Sequence, residues 1–587
     1  VKKNTKGTSI IDLVISMAIV VVLFGGVYLV YFSIITAVAN ISVRTAATTA
    51  IGNEIEMIRN LPYDSVGTVG GIPSGIIPQS QTVSVGSYTF DLQTTIRNID
   101  DPFDGTLGGN PNDTAPADYK LVSISETCPL CENTVAITIT TTIAPKNLES
   151  ATVDGSLFLY ALDANGVGVP EATVQVVNAS ATPSINLTDT TNASGVLELV
   201  GVPTSTQGYS ITITKPRYST DQTYPVGGAG NPNPVKPNAT VVAQTVTALS
   251  FSIDRTSSLA VSATDDRCNA IPGEAFSMQG TKLIGTPNVL KFSTSTTMDA
   301  NGTALMQNVE WDTYALGVND ASHDLMGTIP LDPLVVNPSS TQAFQFILAP
   351  AANPALLTTV TDAATGAGIF GANVTISKSG FLATQLSGQA AVSQANWSGG
   401  QYASQSGGMD TSIPGVIQLF ANASSTYPTS TIASLISNTI DLGGSSTTWY
   451  SMSWTPTSQT PSTGAGSIAF QVAANNDNAT WKFIGPDGTA GSYFTATPAT
   501  LPAALSGNRY LRYEVFMSTQ DPNNSPALTG VTFGFSGNCV PPAQTLFTGL
   551  PQGTYAINVS APNYNNNSTT VSIGAGFQSS TISLIHQ

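Results

Sequence analysis

Between Ile10 and Val38 the chain is apolar almost without interruption, broken only by Asp12 and a few serines and threonines. At 29 residues, this run exceeds the ~20 that an α-helix needs to cross a bilayer. A secretory signal would have a shorter apolar region, then a small-residue cleavage site and a polar start. Here helix-compatible sequence continues through Ser42–Asn60, with Arg44, Glu54, Glu56 and Arg59, and stops at Leu61-Pro62. Proline cannot continue a helix and restricts the residue before it. A helix from Thr8 to Asn60 would measure about 80 Å at ~1.5 Å per residue, with Gly25-Gly26 as the place to bend. Lys2, Lys3 and Lys6 precede the apolar run, so the positive-inside rule keeps them cytoplasmic and sends the rest of the chain outside.

Asp12 puts a carboxylate two residues into the apolar run, where an unpaired charge is costly. At the interface it would instead favour the positive end of the helix. Lys6-Gly7 followed by Thr8-Ser9-Ile10-Ile11-Asp12-Leu13-Val14-Ile15 resembles the processing site of type IV prepilins. The resemblance is strong over about the first 65 residues and loose to about residue 145. It implies that residues 1–7 are a leader, that a prepilin peptidase cuts after Gly7, and that Thr8 is methylated. Asp12, the fifth mature residue, would then neutralise the terminal amine of a neighbouring pilin subunit, since acid and amine buried together cost less than either alone. Thr8 stands where the family usually has an aromatic, and Asp12 where it has glutamate. A plain single-pass anchor is the alternative that the apolar length alone supports.

Behind the helix (8–61), residues 62–150 are expected to form a small α+β, pilin-like head. A Gly- and Pro-rich loop, Val66–Pro78, leads into alternating segments at Thr82–Arg97, Lys120–Ser125 and Thr134–Ile143, the pattern of half-buried strands. Cys128-Pro-Leu-Cys131 has no second cysteine pair or histidine nearby to complete a zinc site. A disulfide-closed turn is expected in an oxidising exterior, a redox pair being the alternative. The loop bearing Asp100, Asp101, Asp104, Asp113 and Asp118 offers oxygen ligands of the kind calcium takes, without EF-hand spacing. The same residue types dominate ordinary turns. Calcium is therefore the one cofactor the sequence suggests, against the plainer expectation of none.

The remaining chain repeats itself about every 100 residues. Unit openings at Ser156–Asp163, Ser258–Asp265 and Leu356–Asp362 are each followed by a turn and a second strand, and Gly201-Val-Pro…Gly208-Tyr recurs as Gly549-Leu-Pro…Gly553-Thr-Tyr. Asn308-Val-Glu-Trp-Asp-Thr-Tyr holds the corresponding place in the middle unit. Short strands with turns at this spacing predict β-sandwiches, and the motifs resemble carboxypeptidase regulatory-like modules. The expected units are 151–254, 255–350, and 351–384 completed by 540–587, with residues 385–539 inserted into the third. Within the insertion, about 437–537 resembles a discoidin- or lectin-like jelly roll, carried by Asp477–Trp481, Gly485-Pro-Asp-Gly488 and Arg509–Tyr513. Trp449 and Trp481 are its candidate sugar-stacking residues, core filling being the alternative for tryptophans in a sandwich. Whether Cys268 and Cys539 pair depends on the fold.

Only 9% of residues are charged and the net charge is −17, a balance that repels phosphate backbones and leaves no nucleic-acid partner to expect. With His323 and His586 as the only histidines, chemistry built on a histidine base or several histidine ligands is nearly excluded. The expectation is a mainly β, non-enzymatic protein. A long N-terminal transmembrane helix would carry a small head, then tandem antiparallel sandwiches, the last with an inserted jelly roll. It would be a minor or tip pilin-like subunit, anchored in the membrane with its C-terminal part extracytoplasmic, at the cell surface or in a pilus. Its partners would be other pilin subunits, the prepilin peptidase, the membrane and a glycan or other cell-surface ligand. Alternatives are a pseudopilin of a secretion or DNA-uptake system, or a membrane-anchored glycan-binding or glycan-processing accessory protein.

Overall fold

Among the described residues one α-helix, a few short 3-10 turns and many strands make up the fold, so the protein is mainly β with one long N-terminal helix. The computed structural model describes residues 10–131, 136–146, 153–318, 320–444 and 447–587. It divides into two compact units, Val1–Arg255 with Leu283–Val289, and Thr256–Lys282 with Leu290–Gln587.

In the first unit, α1 (Ile10–Arg59) runs unbroken through Gly25 and Gly26. Its end is closed by Leu61 N–H on the Ile58 carbonyl at 3.1 Å. From Val43 onward the helix is amphipathic. Val43, Ala47, Ala50, Ile51, Ile55 and Ile58 recur at spacings of three and four and pack on Phe90, Leu92, Ile96, Val122 and Ile124. Those partners lie on a four-stranded antiparallel sheet of β1 (Ser80–Val85), β2 (Tyr88–Ile99), β3 (Tyr119–Thr127) and β4 (Ile137–Ile143), in sequential order. The alternating run expected as one strand over Thr82–Arg97 is a hairpin, because Gly86, with φ 62°, opens a two-residue turn between paired Val85 and Tyr88. Residues 132–135, at the start of the third expected strand, lie outside the described residues. Lys120 points inward from β3, where its Nζ donates to the carbonyls of Tyr63 (2.7 Å) and Val66 (2.6 Å). Burial lowers its pKa to about 8.

A sandwich follows, with β5 (Gly155–Leu162), β8 (Val196–Val202) and strand Val246–Ser252 in one sheet. The facing sheet holds β6 (Thr173–Asn178), β7 (Ile185–Thr190), β9 (Ser205–Thr214) and two shorter strands. Strand β7 buries every second residue, as the period-two pattern requires. Arg97 of β2 ties the head to this sandwich: its Nε donates to Asp189 Oδ2 at 2.6 Å, a second nitrogen donates to Oδ1, and it reaches the Thr190 carbonyl at 3.1 Å. The Asp189 side chain is buried and that of Arg97 a quarter exposed. Arg97→Met strands the buried carboxylate and should cost about 2–4 kcal/mol in denaturant unfolding of the full chain. Asp189→Asn should cost less.

The second unit holds two more sandwiches and the insertion. One sandwich packs sheet Thr303–Val309, Ser257–Thr264, Thr341–Pro350, His323–Ile329 against sheet Ser293–Thr297, Ala275–Gly280, Asp312–Val318, Leu334–Val336. The other packs Gln544–Phe547, Ala355–Asp362, Phe577–Leu584 against Phe381–Leu386, Asn373–Lys378, Gly553–Ser560, Asn567–Ile573. Two features recur in all three sandwiches. The first and last strands pair in parallel, as Val246↔Ser156, Ser258↔Thr341 and Ala355↔Phe577, so one sheet of each sandwich is mixed while the facing sheet is antiparallel throughout. Tyr209, Tyr314 and Tyr555 are each buried and return the hydroxyl to a backbone carbonyl upstream, on Pro203 (2.6 Å), Glu310 (2.8 Å) and Pro551 (2.6 Å). The repeated tyrosine is thus a corner that fastens a loop to its strand.

The insertion leaves and re-enters the third sandwich at neighbouring points, Gly388 N–H donating to the Gln544 carbonyl at 2.9 Å. Its core runs from Val392 and Trp397 to Val540. The 437–537 boundary expected for a jelly roll is therefore too narrow. Strand Ala390–Gln394 pairs with Gly530–Ser536, and Tyr402–Gln405 pairs with Ala433–Ser437, so the module's two larger sheets both use residues ahead of position 437, as does a small third sheet through Met409–Asp410 and Ile417–Leu419.

Candidate functional site

The most unusual surface is the first part of α1. From Ile10 to Ser42 every described side chain is exposed, along about 50 Å at ~1.5 Å per residue. Among the described residues, α1 is the one helix long and apolar enough to cross a membrane. A polar group in this stretch is satisfied locally: Thr36 Oγ1 donates to the carbonyls of Phe32 and Ser33, both at 3.0 Å. A hydroxyl bonded to its own helix crosses hydrocarbon at less cost. Such a row of uncovered Ile, Val, Leu and Phe is stable only against lipid or other apolar helices. Gly7 and Thr8 lie outside the described residues, and so does the side chain of Asp12.

The acidic loop joins β2 to β3. Asp100 Oδ2 accepts the Leu107 amide at 2.9 Å, Asp101 Oδ1 that of Phe103 at 3.2 Å, Asp113 Oδ1 that of Ala115 at 2.8 Å, and Asp118 Oδ2 that of Asp101. Asp104 is exposed. Four of the five carboxylates therefore brace the loop's own backbone. Burial raises the Asp100 pKa against the opposing Leu107 amide, and the charges of Asp113, Asp118 and Asp104 raise it further. Cys128 and Cys131 are joined in a disulfide, as are Cys268 and Cys539.

Trp449 is not a sugar platform. It is 2% exposed, packs against Phe533 and Phe535, and donates Nε1–H to the Asn508 carbonyl at 3.3 Å. Trp397 and Trp454 are buried in the same core. Trp481 is half-buried, and the Arg512 guanidinium lies 4.4 Å from its ring centre, so one face is already covered.

One cluster escaped the sequence reading. Glu274, Asp320 and His323 converge at one end of the Ser257–Pro350 sandwich, the one set of three potential ligands that meets among the described residues. Asp320-x-x-His323 was its visible half. Glu274, 46 positions before Asp320, carries no spacing that links it to them.

No protein-family model matches the chain, and no curated protein matches it. Among solved structures it is similar to the Bacillus anthracis TIE protein, at 10% identity over 86% of this chain and 73% of that one, with a TM-score of 0.15. It is also similar to the shaft pilin spaA from Lactobacillus rhamnosus GG (11% identity, 33% of this chain, 98% of that one, TM-score 0.13). GBS52, the minor pilin of Streptococcus agalactiae, gives 12% identity over 34% and 97%, with a TM-score of 0.16. Scores this low carry no weight for fold or function.

Proposed function

We propose that the chain is a type IV pilin-like subunit, of a minor or tip kind, cut between Gly7 and Thr8 by a prepilin peptidase. Through α1 it is held in the membrane or among the helices of other subunits, and its sandwiches project for surface binding or adhesion. One observation carries this reading: α1 is uncovered and apolar up to Ser42, then packs by one face on a four-stranded sheet from Val43. A helix so divided serves two environments, with its second half holding the head and its first left for lipid or neighbouring helices. The proposed role is assembly and binding rather than catalysis.

Mass spectrometry of the chain expressed with an active prepilin peptidase tests it. The expected mature terminus is Thr8, with a mass increment of one methyl group if methylation follows. Gly7→Val is expected to abolish the cut. An intact Lys6-Gly7-Thr8 segment in the wild type would overturn the reading.

A further inference from the structure

Glu274 immediately precedes strand Ala275–Gly280, while Asp320 stands three residues before His323, the first residue of strand His323–Ile329. His323 Nδ1 lies 2.7 Å from Asp320 Oδ2 and 3.3 Å from Glu274 Oε2. One ligand atom from each residue falls within 4.8 Å of the others. The three differ in exposure: the Glu274 side chain is 4% exposed, those of His323 and Asp320 28% and 29%. The cluster is thus closed behind Glu274 and open to solvent in front.

Its electrostatics are unbalanced as they stand. A single imidazole nitrogen faces two carboxylates, and its one proton serves only one of them well. Glu274 Oε1 is buried and has no hydrogen-bond partner. An unsatisfied carboxylate oxygen at that depth is costly unless a cation faces it. Burial holds the Glu274 carboxyl above its usual range, and the Asp320 charge raises it further while His323 lowers it. Asp320 is held down to about 2, chiefly by the Ser322 hydroxyl and amide and by His323.

We propose that Glu274, Asp320 and His323 bind a first-row divalent transition-metal ion of the zinc class, through His323 Nδ1, one oxygen of Asp320 and both oxygens of the Glu274 carboxylate. Two carboxylates cancel the charge of a divalent ion. An imidazole ligand selects zinc, nickel, copper or iron over calcium and magnesium. Metal–ligand distances of ~2.0–2.1 Å place neighbouring ligand atoms ~3.0–3.4 Å apart, and His323 Nδ1 lies 2.7 and 3.3 Å from its two carboxylate oxygens. The ion displaces the Nδ1 proton to solvent and fixes the imidazole with its proton on Nε2. Ser322 supplies the outer support, its amide donating to Asp320 Oδ1 at 3.1 Å and its hydroxyl to Oδ2. Water enters from the open side to complete the coordination.

The test uses the full chain in detergent, stripped with chelator and titrated with zinc chloride by calorimetry, with calcium and magnesium chloride as comparators. One saturable zinc equivalent is expected, weakened at least tenfold in Glu274→Gln and in Asp320→Asn and lost in His323→Ala. His586→Ala should bind as the wild type does. With two histidines in the chain, imidazole NMR separates the outcomes further: zinc should shift the His323 signals and leave those of His586 in place. No saturable zinc binding, binding that survives His323→Ala, or a shift confined to His586 would each overturn the proposal. Should His323→Ala fail to fold, the part-exposed Asp320→Asn and the wild-type spectrum decide it.

Discussion

Joint replacement of Cys268 and Cys539 by serine is expected to lower the unfolding free energy of the second unit by about 3–5 kcal/mol. The two cysteines are 271 positions apart and bonded, so the link removes a very large loop from the freedom of the unfolded chain. Loop entropy grows only slowly with length, by ~0.6 kcal/mol per doubling, and long loops rarely return their full theoretical gain, hence the range. The bond joins the Ser257–Pro350 sandwich to the end of the insertion. There, Gln544 also contacts Thr328, accepting from its amide at 3.0 Å and donating to its carbonyl at 3.2 Å. Those contacts remain in the serine variant, so loosening rather than collapse is expected. The internal control is Cys128/Cys131, only three positions apart: the chain it closes is so short that its removal should cost far less. Denaturant titrations with and without reductant measure both. Reduction of the wild type should reproduce the Cys268/Cys539 variant, and that variant should respond little to reductant. A wild-type midpoint unmoved by reduction would contradict the prediction.

Trp397→Ala should cost about 3–5 kcal/mol in the insertion. The ring is fully buried, and its removal leaves a cavity among Tyr513, Leu435 and the other side chains of the same core. Packing is only part of the loss. Trp397 Nε1–H donates to the Tyr513 hydroxyl at 2.7 Å, which in turn donates to Gln394 Oε1 at 2.8 Å, a relay from a loop residue through strand Tyr510–Met517 to the end of strand Ala390–Gln394. Burial pushes the Tyr513 hydroxyl well above its usual pKa, so it stays a neutral donor. Tyr513→Phe keeps the volume and strands both neighbours, and should cost about 1–3 kcal/mol. Near-ultraviolet circular dichroism with denaturant unfolding should rank alanine at 397 as the worse change. The reverse order would mean that the relay, not the packing, holds this core.

Local pattern and long-range placement were unequally legible in the sequence. The apolar run, its stop at Leu61-Pro62 and the period-two strands were visible because each is a property of adjacent residues. The recurrent tyrosine was visible as a repeat, and its cause, a hydroxyl returned to an upstream carbonyl, follows from its burial. Trp449 misled because strand Thr448–Thr455 carries a register shift between Trp449 and Ser451. That bulge lets residues 449, 452 and 454 all face inward, which simple alternation does not allow. The start of the insertion's module was hidden because its early strands are short, Met409–Asp410 and Ile417–Leu419 among them, and two or three residues hold no period. The parallel first–last pairs, the Cys268–Cys539 bond and the meeting of Glu274 with His323 join residues far apart in the chain, and nothing in their spacing announces it.

Those parallel pairs have a mechanical consequence. They extend over seven, seven and eight residue pairs in the three sandwiches, so the chain enters each sandwich at one pole and leaves by the opposite one. Tension applied along the chain drags the two strands lengthwise past each other and loads their hydrogen bonds together in shear. A hairpin pulled from one pole would instead open bond by bond. In the third sandwich the parallel pair Ala355–Asp362 and Phe577–Leu584 takes the load in shear, while the Cys268–Cys539 bond gives the force a second, covalent route into the end of the insertion.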